Sequence, residues 1–320
     1  MFFDPLNINK NYAGHVLTLR KTIEPYRSLD EGETIEILTY LKLASIDHRR
    51  MILQLGQKHN IRLHYGACMS MVEIITTLYL YWLNVDPKDP EWKDRDRFIL
   101  SKGHAAPSLY IALLQSDFVK DIDFYTYRTL DSIFQGHPDR NKTPGIDCST
   151  GSLGQGLPVA CGMAWALKNE EKKSGVYCLM SDGECNEGSV WEAALIAANA
   201  KLDNLVLMID YNKKSSYGSM KNRNDIAPLH EKWKSFGWNV LESDGHDIAA
   251  ISKALNSARL ATGFPTVIIY NTEKGRGIPL HARQFVSSSS ALDHANYEEA
   301  IIHLNNMEKQ IIEGSGFNIR

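Results

Sequence analysis

Residues that could bind a metal follow the apolar stretch VYCLM at 176–180. The chain passes there into Asp182 and Gly183, and Asn212 stands 30 positions beyond Asp182. A helix and one strand fit between Asp182 and Asn212, so the two side chains can meet at neighbouring strand ends. A carboxylate and an amide oxygen suit Mg²⁺ when phosphate and water complete its octahedral shell. Either residue alone is better explained by capping or a turn, but the pair predicts a metal that holds a diphosphate.

Short apolar runs with strand character alternate with helical stretches along the chain. Strands are predicted at 97–101, 176–180, 205–210 and 266–271, with a weaker candidate at 238–243. Helices are predicted at 33–58, 70–83, 157–170, 189–200 and 247–260, the second with Ser70 as its N-cap. Nearly continuous apolar strands between helices indicate a parallel sheet that is covered on both faces. The sequence therefore predicts an α/β fold with a doubly wound parallel sheet of about five strands.

Most of the chain is expected to form one α/β domain, because its 320 residues are enough for a large core. We expect this domain to span residues 35–284. An N-terminal lead-in would precede it over 1–34, and a C-terminal tail would follow it over 285–320.

The composition argues against several classes of function. The net charge of −3, from 35 basic and 38 acidic residues, offers no basic surface for nucleic acid or a membrane. No stretch has the apolar length of a membrane span, and the N-terminal residues lack a signal-peptide pattern. The five cysteines include no C-x-x-C pair, so no cysteine-based metal site is expected. Together these features predict a cytoplasmic protein.

Polar residues follow four of the predicted strands, at the edge where parallel sheets bind ligands. These exits are residues 101–104, 181–184, 210–212 and 271–277, and three of them contain glycine. A further glycine-rich stretch, TGSLGQGLPVACGMAWALK at 150–168, precedes a helix of small residues. It is not G-x-G-x-x-G and no clear strand precedes it, so alone it indicates helix packing rather than a nucleotide site.

Six segments, in order and at suitable spacing, resemble the N-terminal, diphosphate-binding half of transketolase. They are LHYGACMS (63–70), SKGHAAPSLY (101–110), QGHPD (135–139), GSLGQGLPVACGMA (151–164), the stretch 181–218 that begins SDGECNEGSVWEAA and ends LDNLVLMIDYNKKSSYG, and TEKGRGIP (272–279). The combination covers roughly residues 35–280 and is far more specific than any one motif. The pairing of SKGHA with GSLGQG favours transketolases and their relatives over subunits of the pyruvate-dehydrogenase type.

The resemblance implies thiamine diphosphate as cofactor, held through Mg²⁺, for which Ca²⁺ or Mn²⁺ can substitute. The metal ligands would be Asp182, Asn212 and the backbone carbonyl of Lys214. The residues that would contact the cofactor itself are Gly151, Leu153, Gly183, Glu184, Lys274 and His104.

The resemblance also implies a set of catalytic residues. They are His64, His104, His137 and, where two chains would meet, Glu187. Ketol transfer moves protons to and from hydroxyl oxygens, and histidine titrates in the range that this requires. Three other histidines, His246, His281 and His294, lack an equally sharp match and are expected to be structural or on the surface.

A complete transketolase has a second half, with the pyrimidine-binding domain and the glutamate that activates the cofactor, and the resemblance does not extend to it. It implies the N-terminal subunit of a split transketolase, completed by a separate C-terminal subunit in an α2β2 complex. Its substrates would be a ketose donor and an aldose acceptor, as sugars or sugar phosphates. Tyr65, Cys68 and Met69 are expected to reshape the mouth of the site near His64, which suggests a specialised donor or acceptor.

Three alternatives remain open. The chain could be a subunit of another thiamine-diphosphate enzyme, a 2-oxo-acid dehydrogenase or a deoxyxylulose-phosphate-synthase-like ketolase, which would prefer a 2-oxo acid to a ketose. It could be a non-catalytic regulatory subunit, although the intact Asp182, Asn212 and matched histidines argue against that. An NAD-dependent oxidoreductase would explain the α/β pattern but not the Asp–Asn pair.

Overall fold

The computed structural model describes residues 11–20, 29, 35–59, 61–119, 124–215, 218–222, 224–279 and 289–316. The strands within them are β1 (Arg97–Leu100), β2 (Val176–Ser181), β3 (Leu205–Tyr211), β4 (Lys214–Ser215), β5 (Gly218–Ser219), β6 (Asn239–Asp244) and β7 (Thr266–Asn271). Five of them form a sheet in the order β1-β2-β3-β7-β6, and every neighbouring pair is parallel. The short β4 and β5 form a separate antiparallel ribbon.

Ten α-helices surround the strands in the described part of the chain. They are α1 (Asn11–Arg20), α2 (Ile35–His59), α3 (Tyr65–Met69), α4 (Val72–Thr77), α5 (Ala106–Gln115), α6 (Gly156–Asn169), α7 (Gly188–Asn199), α8 (Leu229–Ser235), α9 (Ile248–Leu260) and α10 (His294–Ser315). None of these described helices is long and apolar enough to cross a membrane.

Successive residues of the central strand β3 point to opposite faces of the sheet, and helices cover both faces. Val206 and Met208 belong to a core cluster with residues of α2, α4, α5 and α9. Leu205, Leu207 and Ile209 belong to a second cluster with residues of α6, α7 and α8. Because neither face meets water, apolar residues occupy nearly every position of the strand. The predicted α/β fold with a doubly wound parallel sheet is confirmed.

The predicted start of the second helix is wrong. Helix α4 begins at Val72 with Met71 as its N-cap, and it continues as a π-helical turn over Leu78–Trp82. Ser70 instead donates a hydrogen bond to the Asp210 carboxylate over 2.5 Å. As an N-cap, the Ser70 oxygen would accept from a neutral backbone N–H, whereas a hydrogen bond donated to a buried carboxylate is charge-assisted and stronger.

The predicted C-terminal tail contains α10, which packs along α2. Arg50 of α2 contacts Glu308 at 2.5 Å and Asn305 at 2.8 Å. Tyr12 of α1 donates to Glu308 over 3.1 Å, so three helices meet there. The predicted boundaries at 34/35 and 284/285 fall at or within segments outside the described residues, so the division into lead-in, domain and tail stays a prediction.

Candidate functional site

The carboxyl ends of four adjacent strands bring the predicted site residues to one edge of the sheet. Ser181 of β2 pairs with Asp210 of β3, and Tyr211 pairs with Asn271 of β7. The residues just beyond these strands, Asp182 and Asn212, are therefore neighbours, as the spacing predicted.

A buried ion pair underlies these strand ends. Lys102 contacts Asp210, and both side chains have 0% exposure. Lys102 Nζ also donates to the carbonyl of Ala67 over 2.8 Å, and the hydroxyls of Ser70 and Thr272 donate to Asp210. Burial alone would raise the pKa of Asp210, but Lys102 and the two hydroxyls hold it below its ordinary value. This ion pair was missed at the level of sequence, where the only signal was an acidic residue inside an apolar strand.

Asp182 lies in surroundings that suit a metal ligand. Its buried carboxylate accepts hydrogen bonds from the backbone N–H groups of Gly183 at 2.8 Å and Lys213 at 2.7 Å. Burial, followed by the charge of Asp210, raises the pKa of Asp182 to about 7. An ionised carboxylate in such a place costs free energy unless a positive charge compensates it. A bound divalent cation would supply that charge.

The other predicted metal ligands stand beside Asp182 in the chain's turn after β3. Asn212 Oδ1 accepts from the backbone N–H of Lys214 over 3.2 Å, and Lys274 Nζ donates to the Lys214 carbonyl over 3.2 Å. Burial lowers the pKa of Lys274, and the charges of Asp182 and Asp210 counteract part of this effect. The turn thus presents oxygen ligands beside the positively charged ammonium of Lys274.

The described residues contain no cluster of three or more His, Cys, Asp or Glu side chains that could hold a metal by themselves. A cation at Asp182 would need amide and carbonyl oxygens and oxygens from its ligand. Mg²⁺ bound to a diphosphate meets that requirement, because Mg²⁺ keeps few protein ligands. The donor set therefore fits the predicted metal, while the ligand assignments stay predictions.

Three predicted catalytic histidines lie close together. The rings of His64 and His104 meet edge to face, with their centroids 4.9 Å apart. Burial lowers the pKa of His64, and the charges of Lys274 and His137 lower it further. Burial lowers the pKa of His104 to about 3, with His64 as the next cause. Both rings are consequently neutral at pH 7, and each has one nitrogen free of a proton.

The glycine-rich loop at 151–156 packs against the histidine loops. A Cβ at Gly103 would lie 2.9 Å from the backbone nitrogen of Gly151, so only glycine permits this approach. A Cβ at Gly151 would lie 3.3 Å from the ring of His137. Leu153, which is predicted to contact the cofactor, is an exposed residue of this loop.

The two predicted glutamates have different surroundings. The buried Glu184 accepts from the hydroxyl of Ser101 at 2.5 Å and from the backbone N–H groups of Gly154 and Ser181 at 2.9 and 2.8 Å. Protein donors therefore engage both of its oxygens, and Glu184 joins the ends of β1 and β2 to the glycine-rich loop. Glu187 is exposed and packs beside Gly154. The predicted cofactor contact of Glu184 and interface role of Glu187 stay predictions.

The residues expected to reshape the mouth of the site do not line it. Tyr65, Cys68 and Met69 are fully buried members of the hydrophobic core. The short helix α3, which was not predicted, turns all three side chains inward. That prediction is wrong, and these residues give no support for a specialised substrate.

His246 has a defined place at the edge of the site. Its Nε2 accepts a hydrogen bond of 2.8 Å from the backbone N–H of Glu273, the residue before Lys274. The ring proton is therefore on Nδ1, which donates to Glu73 over 3.0 Å. Of the other two histidines expected to be structural or on the surface, His294 contacts Gln57, and His281 lies outside the described residues.

Comparison with known proteins assigns the family. Residues 46–309 match the model of the transketolase, thiamine diphosphate binding domain. The chain belongs to the transketolase family. This confirms the resemblance that the six sequence segments indicated.

Several proteins named as transketolases or their subunits are similar to this chain. An apulose-4-phosphate transketolase subunit of Actinobacillus succinogenes is 45% identical over 230 residues, which are 72% of this chain and 83% of the relative. The 6-deoxy-6-sulfo-D-fructose transketolase subunit of Clostridium sp. (strain MSTE9) is 37% identical over 241 residues, 75% of this chain and 88% of the relative. The crystal structure of transketolase from Campylobacter jejuni matches with a TM-score of 0.72 and 27% identity, over 85% of this chain and 48% of that one. The chain thus spans most of the two subunits and about half of the solved transketolase.

Proposed function

We propose that this chain is the N-terminal subunit of a split transketolase, which transfers a two-carbon ketol unit from a ketose to an aldose. The observation that carries the proposal is the meeting of Asp182, Lys274 and the His64–His104 pair at one edge of the sheet. Relatives that are themselves named as transketolase subunits, with 37% and 45% identity, support it. The alternatives of another thiamine-diphosphate enzyme and of a regulatory subunit become outcomes of the test below.

The cofactor is thiamine diphosphate, which the family's description names. When bound, it supplies the carbanion that attacks a ketose carbonyl and carries two carbons to an aldose. Asp182, Asn212 and the Lys214 carbonyl would hold Mg²⁺ on its diphosphate, with Gly183 at the turn. The ammonium of Lys274, which already lies on the Lys214 carbonyl, adds a second positive charge for the phosphate oxygens.

The histidines would handle the protons of the substrate. Because His64 and His104 are neutral at pH 7, each can accept a hydroxyl proton at one ring nitrogen and hydrogen-bond through the other. His137, which packs on Gly151, would orient the substrate or a phosphate oxygen beside them.

A separate C-terminal subunit would complete the site. Large apolar side chains project from α6 and α7, where Trp165 is 58% and Ile196 62% exposed. Trp165 and Ile196 line one surface groove, and exposed apolar surface of this kind is typical of interfaces. We place the C-terminal subunit on it because both helices begin at the site, next to Leu153 and Glu187. The complete enzyme would be an α2β2 complex.

The cytoplasm is the compartment that we propose. All five cysteines are free, and four of them are buried. Burial raises the pKa of the buried thiols, Cys185 among them, so they are poorly reactive. Free thiols of this kind fit a reducing compartment.

Native mass spectrometry of the protein purified from its own cells, with Mg²⁺ and thiamine diphosphate, tests the proposal. We expect a complex with a second chain that carries the cofactor and transfers two carbons from a ketose phosphate to an aldose phosphate. A complex that consumes a 2-oxo acid in preference to a ketose would replace this proposal with another thiamine-diphosphate enzyme. A homo-oligomer that never retains cofactor would make the chain a regulatory subunit.

A further inference from the structure

The segment that carries Lys274 is held on both sides by side chains from other elements. On one side, His246 Nε2 accepts from the backbone N–H of Glu273 over 2.8 Å. On the other, Arg49 Nε donates to the carbonyl of Arg276 over 3.0 Å. Gly277 has φ +90° and leaves no room for a Cβ, which would lie 2.5 Å from Arg49 Cδ. The segment that carries Lys274 therefore packs closely against Arg49 and is hydrogen-bonded to His246.

One carboxylate organises both anchors. Glu73 Oε2 accepts from His246 Nδ1 at 3.0 Å and from an Arg49 nitrogen at 2.8 Å, while Oε1 contacts the other Arg49 nitrogen at 2.8 Å. Burial would raise the pKa of Glu73, but Arg49 and His246 outweigh it and lower the pKa to about 2. The glutamate is thus ionised at every working pH. It fixes the imidazole tautomer that leaves Nε2 as the acceptor.

We infer that Glu73 and His246 are positioning residues for Lys274, and that they set where its ammonium meets the phosphate oxygens of the cofactor. The inference rests on the proposed function, in which Lys274 binds the diphosphate. The lysine side chain has several rotatable bonds, and ordering them costs conformational entropy. A fixed backbone position limits which phosphate oxygens the ammonium can reach. On the other side of Lys274, the Gly275 N–H donates to the Gly66 carbonyl over a longer 3.3 Å. His246 therefore anchors the residue directly before Lys274, over 2.8 Å.

Substitutions at His246 separate an anchoring role from a general structural one. His246→Phe keeps the ring volume but removes the acceptor, and His246→Gln restores an amide oxygen near the Nε2 position. His246→Asn is polar but too short to reach Glu273, and it replaces the Phe variant if that one fails to fold. His230→Phe is the matched control, because His230 also pairs with a glutamate, Glu242, at 2.8 Å, on helix α8.

The measurement is the Kd of thiamine diphosphate at saturating Mg²⁺, by calorimetry on the full chain together with any second chain that copurifies. We expect about a tenfold weaker Kd for His246→Phe, the equivalent of one hydrogen bond to a charged group. We expect a Kd within about twofold of the unsubstituted protein for His246→Gln and for the control. In a Lys274→Ala background, His246→Phe should change the Kd less than twofold. The reason is that His246 acts by positioning the Lys274 ammonium, which this background lacks.

Each outcome bears on one claim. An unsubstituted protein that binds no thiamine diphosphate would remove the proposed function, and this inference with it. Normal binding that His246→Phe and His246→Asn leave unchanged would overturn the inference alone. A tenfold loss that persists in the Lys274→Ala background, or that His246→Gln fails to restore, would show that His246 acts on the fold and not through Lys274.

Discussion

Lys274 donates a hydrogen bond to the carbonyl oxygen of Lys214 over 3.2 Å. This contact joins the strand exit of β7 to the turn after β3, where Asp182 accepts the backbone N–H of Lys213. A diphosphate bound here would contact two positive charges. One is the ammonium of Lys274, and the other is the metal ion that Asp182 would hold. We therefore expect the site to bind an anion with two charged groups close together.

Removal of the Asp182 carboxylate should abolish metal-dependent cofactor binding. For Asp182→Ala we expect the affinity for thiamine diphosphate with Mg²⁺ to fall by at least about 100-fold, because the only predicted anionic metal ligand is lost. The fold should survive, since a loop residue at a strand end contributes little core packing. Calorimetry measures the affinity, and thermal unfolding measures stability.

Asp86→Ala is a suitable control, because the exposed Asp86 likewise accepts a backbone N–H, from Lys88 at 2.9 Å, without lying at the strand exits. It should leave the affinity unchanged. Survival of tight cofactor binding in Asp182→Ala would show that the metal assignment is wrong.

Replacing only one partner of the Lys102–Asp210 pair should destabilise the fold strongly. Lys102→Met leaves the buried Asp210 carboxylate without its cation, and we expect a loss of about 3–5 kcal/mol in the free energy of unfolding. Urea denaturation measures it. The double variant with Asp210→Asn removes the stranded charge and should regain much of that loss. Equal instability of the single and double variants would contradict this account of the pair.

The lowered pKa values of His64 and His104 determine how kcat/KM should depend on pH. The neutral ring is the proton acceptor, and its population is lost only as the pH falls through the native pKa. Because burial lowers the pKa of His104 to about 3, this residue should cause no loss of kcat/KM between pH 8 and 6. For His104→Asn in the complete enzyme we expect a kcat about 100-fold lower.

The measurement is ketol transfer by the reconstituted complex over pH 5–9. A fall of kcat/KM with an apparent pKa near that of free histidine, absent in His104→Asn, would contradict the neutral-ring assignment. A kcat that His104→Asn leaves unchanged would remove His104 from the catalytic set.

The exposed face of α6 and α7 should be needed for assembly. We expect Trp165→Ser combined with Ile196→Ser to weaken association with the C-terminal subunit by 100-fold or more, because large apolar anchors dominate interface energies. The stability of the isolated chain should change by less than about 1 kcal/mol, since both side chains are already largely exposed. Native mass spectrometry follows the complex.

Leu260→Ser is the control for this surface. Leu260 is 71% exposed at the end of α9, a helix that packs on the opposite face of the sheet. It should leave assembly intact. A double variant that assembles as well as Leu260→Ser would place the partner on another surface.

The sequence was sufficient for the features that depend on local pattern. Strand β7 was predicted at its observed bounds, 266–271, because a short apolar run follows Pro265 and ends in the polar residues Asn271 and Thr272. The closeness of Asp182 and Asn212 followed from one βαβ step, since parallel strands end at the same edge.

Contacts between segments distant in the chain could not be predicted from the sequence. The Lys102–Asp210 pair joins residues 108 positions apart, and the His246–Glu73 contact spans 173. Neither pairing follows from residue types, because each depends on how helices pack against the ends of the sheet. The inward direction of Tyr65 was equally hidden, since a helix as short as α3 has too few residues to show a period.

The Lys102–Asp210 pair has a consequence for how the loops move. Through it the chain near Ala67, the exit of β1, the end of β3 and the exit of β7 share a single charge cluster without access to water. Separating any one of these segments exposes part of that cluster, so all four should open together or stay closed. Their amide protons should then show one common free energy of opening in hydrogen exchange, as a single cooperative unit.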